Sequence, residues 1–185
     1  HGWVHDMNFS RISRDKRLKR ILMSKTAIEK KIRRRVIGFR APTLQITDDL
    51  YSLLKKAGFE YDMSHMDSQR EIPNTGRGVS INLPYFINGI LEIPTAAPDC
   101  ITPSYFGYSM KETLGLFSQK IAWIEKTGQL ANFIVHAPVW GRRDAEKRIL
   151  LLDHIIKNTK KKKCFCTDCN GLYEWWKKRN NILIK

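Results

Sequence analysis

What this chain has little of is the first guide to it. No apolar run approaches the roughly 20 residues that a helix needs to cross a bilayer, so none of its 185 residues is expected in a transmembrane segment. No charged start followed by an apolar stretch marks a secretory leader. The chain opens instead on His1, as a protein cut or processed partway does. Acidic residues are scarce: 18 Asp and Glu stand against 33 Lys and Arg, for a net charge of +15. Such an excess invites a nucleic-acid partner, but the charge gathers in residues 11–35 and in Lys160-Lys161-Lys162-Lys163, and the stretch from Val36 to Trp140 is close to neutral. Neither block is interleaved with the aromatics that stack on bases. They read as a solvated helix face and a helix end, and no nucleic-acid partner is expected.

Cysteine is also scarce: Cys100, Cys164, Cys166 and Cys169. The last three form C-x-C-x-x-C, a spacing that can hold a second zinc ion or close a disulfide. Cys164 and Cys166 flank Phe165 in what reads as a short buried strand. Free cysteine is among the most buried residue types, so inert thiols on one face of that strand are the third reading.

What is present suits one domain over 1–185, since 42% of the residues are hydrophobic and that supports a core at this length. A helix over 11–35 carries Leu18, Ile21, Leu22, Ile28 and Ile32 at the helical period. Val36-Ile37-Gly38-Phe39 is a strand stopped before Pro42. Thr47-Asp48-Asp49 caps a helix whose inner stripe is Leu50, Leu53, Leu54 and Ala57, ended by Gly58. Phe59 to Asp62 is a strand, the region to Gly89 reads as surface loops, and Ile90 to Ile93 is a strand stopped by Pro94. Ser109-x-x-Glu112 is a capping box opening a helix with Leu114, Phe117, Ile121 and Ile124 inward, closed by Gly128. Phe133 to His136 is a strand. A helix from about Arg143 to Lys157 turns Ile149, Leu152, Ile155 and Ile156 inward, and Thr167 caps a last helix with Leu172, Trp175 and Trp176.

Strands alternating with helices predict an α/β fold with a parallel sheet. Arg40, Asp62 and His136 then each stand at the C-terminal end of a strand, the edge on which parallel barrels build their sites. His1 and His5 stand four apart, a spacing at which a helical turn lets two imidazoles share one ion. One mouth would gather all five residues.

In this order the motifs resemble those of the polysaccharide deacetylases, the NodB homology domain of carbohydrate esterase family four. His1-Gly2-Trp3-Val4-His5 matches the family's H-x-x-x-H. Gly38-Phe39-Arg40-Ala41-Pro42 matches its R-x-P segment, Tyr61-Asp62 its acid at a strand end, and Ile134-Val135-His136 its L-x-H with one conservative change. The family's earlier motif, T-F-D-D, has no counterpart here. The resemblance therefore implies a deformed (β/α) barrel of the polysaccharide deacetylase type, N-terminally incomplete, with the motif encoded upstream in a parent protein.

The resemblance implies a hydrolase that removes N-acetyl groups from a polysaccharide (peptidoglycan, chitin-like or exopolysaccharide) with a divalent metal, zinc before cobalt, manganese or nickel. His1 and His5 would hold the ion, and the family's third ligand and its general base belong to the absent motif. His136 would protonate the leaving amine, Arg40 would hold the base aspartate, and Asp62 would orient neighbouring groups. Ile134 would line the acetyl pocket, and Pro42, Trp3 and Trp140 would contact substrate, with Tyr85 a weaker candidate. Family members meet envelope or extracellular glycans, which points outside the cytoplasm. The alternative is a catalytically inactive remnant that binds glycan or metal. His65 and His154 read as ordinary residues.

Overall fold

The computed structural model describes residues 1–66, 82–98, 107–136, 145–162 and 164–180. Two compact units emerge, one from His1–Pro94 with Thr167–Lys185 and one from Thr95–Cys166. Trp140 and Cys100 lie outside the described residues. Among the described residues, no helix is long and apolar enough to cross a membrane.

The first unit opens with an irregular segment and then α1, Arg14–Ile32, whose N-cap Ser13 accepts from the Lys16 amide. Its buried positions are Arg17, Ile21 and Ser24, a narrow i, i+4, i+7 line. The expected stripe was too wide: Leu22, Ile28 and Ile32 are exposed and Leu18 is half-buried. The reason is Arg17. Its guanidinium takes a place on the inner face by donating to the carbonyls of Phe9, Ser10 and Ile12 and to Asp49. So one member of the basic block is buried, and Asp49 serves as its counter-ion.

Asp49 also occupies the N-cap position of α2, Leu50–Lys56, but makes no side-chain cap bond. Thr47, expected as the cap, donates its hydroxyl to Asp49 instead. The inner stripe of α2 is as read, with Leu50, Leu53, Leu54 and Ala57 buried, and Gly58 follows at φ +75°.

The sheet of this unit runs β1 (Gly38–Phe39), β2 (Tyr61–Asp62), β4 (Ile90–Glu92) and β3 (Tyr85–Ile87) in that spatial order. The β1–β2 and β2–β4 pairs are parallel, while β3 and β4 form an antiparallel hairpin. That hairpin replaces the end of the loop region expected before Gly89. Its turn is Asn88-Gly89, both at positive φ, the backbone that two-residue hairpins prefer. At Gly38 a side chain is excluded, because an added Cβ would lie 2.2 Å from the Tyr61 ring. Tyr61 crosses there to pack on Tyr173 and donates its hydroxyl to Asn170 at 2.7 Å. Both partners sit on the last helix, α5, Cys169–Arg179. Its N-cap is Asp168, which accepts from the Gly171 amide, one residue later than the Thr167 expected.

In the second unit, β5 (Ala97–Pro98) pairs in parallel with β6 (Phe133–Ile134). The third helix, α3 (Met110–Thr127), has the full capping box of Ser109 and Glu112 and ends on Gly128 in the left-handed conformation. It packs on α4, Ala145–Lys160, through Phe117, Ile121, Leu151 and Ile155. The inner line of α4 is thus Leu151 and Ile155. Ile149, Leu152 and Ile156, expected inside, are exposed, because two packed helices need only the narrow seam between them. The Cys164-Phe165-Cys166 strand does not form. The segment is irregular, both thiols are exposed, and Phe165 is 65% exposed.

Candidate active site

Parallel pairing decides what the strand ends share. Phe39 is in register with Asp62, and Asp62 with Glu92. The C-terminal ends of β1, β2 and β4 therefore lie side by side, and Arg40, Asp62 and Glu92 meet on one edge of the sheet.

Asp62 and Glu92 are both completely buried. Burial alone drives both carboxyls above their ordinary range, because an ion loses its hydration. Two carboxylates this close cannot both ionise cheaply. Glu92 is raised further by the negative charge of Asp62 and by a hydrogen bond to it, and that same bond stabilises ionised Asp62. Buried together, the two carboxyls favour a state in which they share one proton, and the upward push is the stronger on Glu92. Asp62 receives additional bonds from the Ser64 hydroxyl at 2.9 Å and the Ser64 amide at 3.2 Å.

Glu92 is the hub of a larger network. Its carboxyl accepts from the His65 amide at 2.9 Å and from the Tyr51 hydroxyl at 3.0 Å. Tyr51 has spent its only proton there, so its oxygen accepts from His65 Nε2 at 3.1 Å. Nδ1 of His65 is hydrogen-bonded to the Tyr85 hydroxyl. One connected network results, running through Tyr85, His65, Tyr51, Glu92 and Asp62. Both tyrosines are held well above their ordinary pKa, by burial first and by the neighbouring carboxyls next.

Arg40 lies beside this pair. Burial lowers its pKa, opposed by Cys169, Asp62, Glu92 and Tyr61 around it. Its Nε donates to the Met63 carbonyl at 3.1 Å. The Ala41 amide donates to the Ser64 hydroxyl at 2.8 Å, which ties the loop after β1 to the loop after β2. Tyr61 is pushed up to about 12, chiefly by burial. The Cys169 thiol is also raised by burial, with Arg40 opposing.

The histidine segment reaches the same edge. Gly2 packs on buried Pro42, where an added Cβ would stand 3.0 Å from Pro42 Cγ. The backbone nitrogen of His1 lies within reach of the charges of Asp62 and Arg40. The segment is pinned by Asp6 pairing with Arg20, and by Gln45, which donates to the Met7 carbonyl and accepts from the Ser10 amide. No helix forms over residues 1–6, yet the rings of His1 and His5 meet edge to face with centroids 5.1 Å apart. At zinc–nitrogen distances of about 2.1 Å, two imidazoles on a tetrahedral ion hold their centroids about 5 Å apart. The pair has the spacing of two ligands. Among the described residues no group of three or more His, Cys, Asp or Glu is arranged to hold a metal, so the pair alone does not complete a three-ligand site.

The remaining predicted residues lie elsewhere. Trp3 is half-exposed and lines an open groove on α1 with Leu18, Leu22 and Met23, a groove to which His1, His5, Arg40, Pro42 and Asp62 do not contribute. His136 and Ile134 belong to the second unit, where His136 is exposed just past β6 and Ile134 is half-buried. Glu92, Tyr51 and His65 were not anticipated. The signal for Glu92 was available: an acid inside the apolar run Ile90-Leu91-Glu92-Ile93 can only be tolerated if paired. His65 follows Asp62 by three residues, and only the fold shows that the two share a network.

No protein-family model matches the sequence. No curated protein matches it either. Solved structures do. A protein from Mycobacterium smegmatis assigned as a polysaccharide deacetylase superposes with a TM-score of 0.63 at 18% identity, over 97% of this chain and 62% of its own. The Puue allantoinase superposes with a TM-score of 0.73 at 14% identity, over 98% of this chain and 59% of its own. The chain thus has the α/β fold of the deacetylase-like barrels, and the resemblance read from its motifs holds at the level of fold. It spans about three fifths of the length of either neighbour.

Proposed function

We propose that this chain carries part of the centre of a metal-dependent hydrolase that removes N-acetyl groups from a polysaccharide. The observation that carries the reading is the convergence of His1, the Arg40-Ala41-Pro42 loop and Asp62 on the C-terminal edge of a parallel sheet, in a fold shared with a protein assigned as a polysaccharide deacetylase. His1 and His5 would hold the ion, zinc or one of cobalt, manganese and nickel. Such an ion, when bound, polarises an amide carbonyl and lowers the pKa of a bound water. Arg40 supplies a fixed positive charge beside the strand ends. Asp62 is fully buried, so it serves by position: through Ser64 it sets the Arg40-Ala41-Pro42 loop. His136 is exposed at a strand end, suited to giving a proton to a leaving amine. Of the expected substrate contacts, Pro42 stands at this edge, whereas Trp3 lies apart from it in the groove on α1.

A second reading, a glycan- or metal-binding protein without turnover, is favoured by the lack of a three-donor metal group among the described residues. Zinc titration by calorimetry, run beside acetate release from N-acetylglucosamine oligomers, separates the two. The enzyme reading expects acetate, its loss in His136→Ala with zinc binding kept, and loss of both in His1→Ala/His5→Ala. Zinc binding without acetate supports the second reading. Hydrolysis of allantoin in place of the oligomers would redirect the substrate class while keeping the amide chemistry. Absence of zinc binding overturns the enzyme reading, and absence of oligomer binding by calorimetry as well overturns the second.

A further inference from the structure

The exposed thiols of Cys164 and Cys166 play no part in the proposed hydrolysis. Their sulfurs lie 3.5 Å apart, in irregular chain just beyond α4. Cys164 is anchored at both ends: its thiol donates to the Thr159 carbonyl at 3.4 Å and its amide to the Lys162 carbonyl at 3.1 Å. The two sulfurs thus face each other across Phe165. Structural thiols are buried, and these two are exposed.

We propose that Cys164 and Cys166 form a redox dithiol that exchanges with low-molecular-weight disulfides and closes reversibly into a C-x-C bridge. In the first step the thiolate of one cysteine attacks a sulfur of the disulfide. A protein–small-molecule S–S bond forms, the original S–S bond breaks, and one small thiolate leaves. In the second step the other cysteine attacks the protein-side sulfur, forming the Cys164–Cys166 bond and expelling the second small thiolate. Two electrons and two protons pass from the dithiol to the disulfide, which becomes two thiols. A bridge over a single intervening residue closes a tight ring, and exposed or strained disulfides are the readily reduced ones. The expected behaviour is therefore exchange, with no contribution to folding.

Oxidised glutathione is the probe. The fully reduced chain is incubated with it, alkylated and weighed intact, then cleaved after the exposed Phe165 with chymotrypsin. The expected result is loss of two hydrogens, with the fragments carrying Cys164 and Cys166 remaining joined until dithiothreitol is added. Cys166→Ser should stop at the mixed disulfide, one glutathione retained on Cys164, and Cys169→Ser should close as the parent does. Glutathione retained on both Cys164 and Cys166 overturns the proposal, and so does a bridge that requires Cys169. Both variants alter side chains outside both hydrophobic cores, and circular dichroism of each confirms folding before the result is scored.

Discussion

The unit of His1–Pro94 and Thr167–Lys185 buries ionised and ionisable groups, among them Arg17, Asp62, His65 and Glu92, and connects them to one another or to backbone. The unit of Thr95–Cys166 is built differently. Its core is the seam of Phe117, Ile121, Leu151 and Ile155 between two helices, and Trp123, Ile149, Leu150, Leu152 and Ile156 lie on its surface. Among the described residues, eleven buried side chains form the first core and four the second. At about 2 kcal/mol per large side chain buried, the first core gains on the order of 20 kcal/mol and the second less than half of that. Burying a charge costs several kcal/mol even when it is paired. The unit with the larger apolar gain is the one that holds the paired carboxyls, while the second unit, among the described residues, buries one charged side chain, Lys120.

The sharpest way to break this comparison is at Phe39, which packs between Phe9 and Phe59 and whose register holds Asp62 in place. Phe39→Ala is expected to cost about 4 kcal/mol in urea denaturation and to release the edge that carries the site. A loss under 1 kcal/mol would mean that the first core does not support the network.

Glu92 comes next. Glu92→Ala leaves Asp62, the Tyr51 hydroxyl and the His65 amide without their partner, at a cost of about 3 kcal/mol. Glu92→Gln keeps a neutral donor and acceptor and should cost under about 1 kcal/mol at acidic pH. The pH dependence carries the sign. The folded pKa of Glu92 stands above its ordinary value of 4.5, so the native state holds its proton longer than the unfolded chain. Its contribution is fully present below that ordinary value and is lost as pH rises through the folded pKa. Glu92→Gln should remove that decline, and denaturation midpoints across a pH series will show it. Parallel slopes for the parent and Glu92→Gln would contradict a protonated Glu92.

Ile121→Ala tests the thinner seam. Its cost should be about 2 kcal/mol, the low end for such truncations, because a seam between two helices collapses around a cavity more easily than a sheet-backed core. Hydrogen exchange should show the loss in α3 and α4. The smallest effect belongs to Ser109→Ala, which removes a capping box at the start of α3 and should lower stability by about 1 kcal/mol, read as a shift in thermal midpoint.

Local chemistry made much of the fold legible. Gly58 and Gly128 end helices at positive φ because only glycine takes that backbone without strain, and Ser109 with Glu112 caps a helix through atoms three residues apart. The helix stripes were harder to read, since a period of 3.6 says which residues share a face and not how wide the covered strip is. Arg17 shows the limit: a basic residue in a basic block is buried because Asp49, 32 positions away, receives it. Cys164 and Cys166 show it again, since an apolar run forms a strand only where a neighbouring strand can take its hydrogen bonds.

By itself the amino-acid order determined the motifs His1-x-x-x-His5, Arg40-x-Pro42, Asp62 and Ile134-x-His136, and through them the fold that the solved structures share. Those are statements about chemistry carried by short segments. Only the tertiary structure decided that Asp62 meets Glu92, that His65 and two tyrosines join their network, and that Cys164 and Cys169, five positions apart, differ in exposure. Parallel strands bring together residues some 20 to 30 positions apart, and the pKa of a carboxyl is set by what stands beside it, not by its neighbours in the chain.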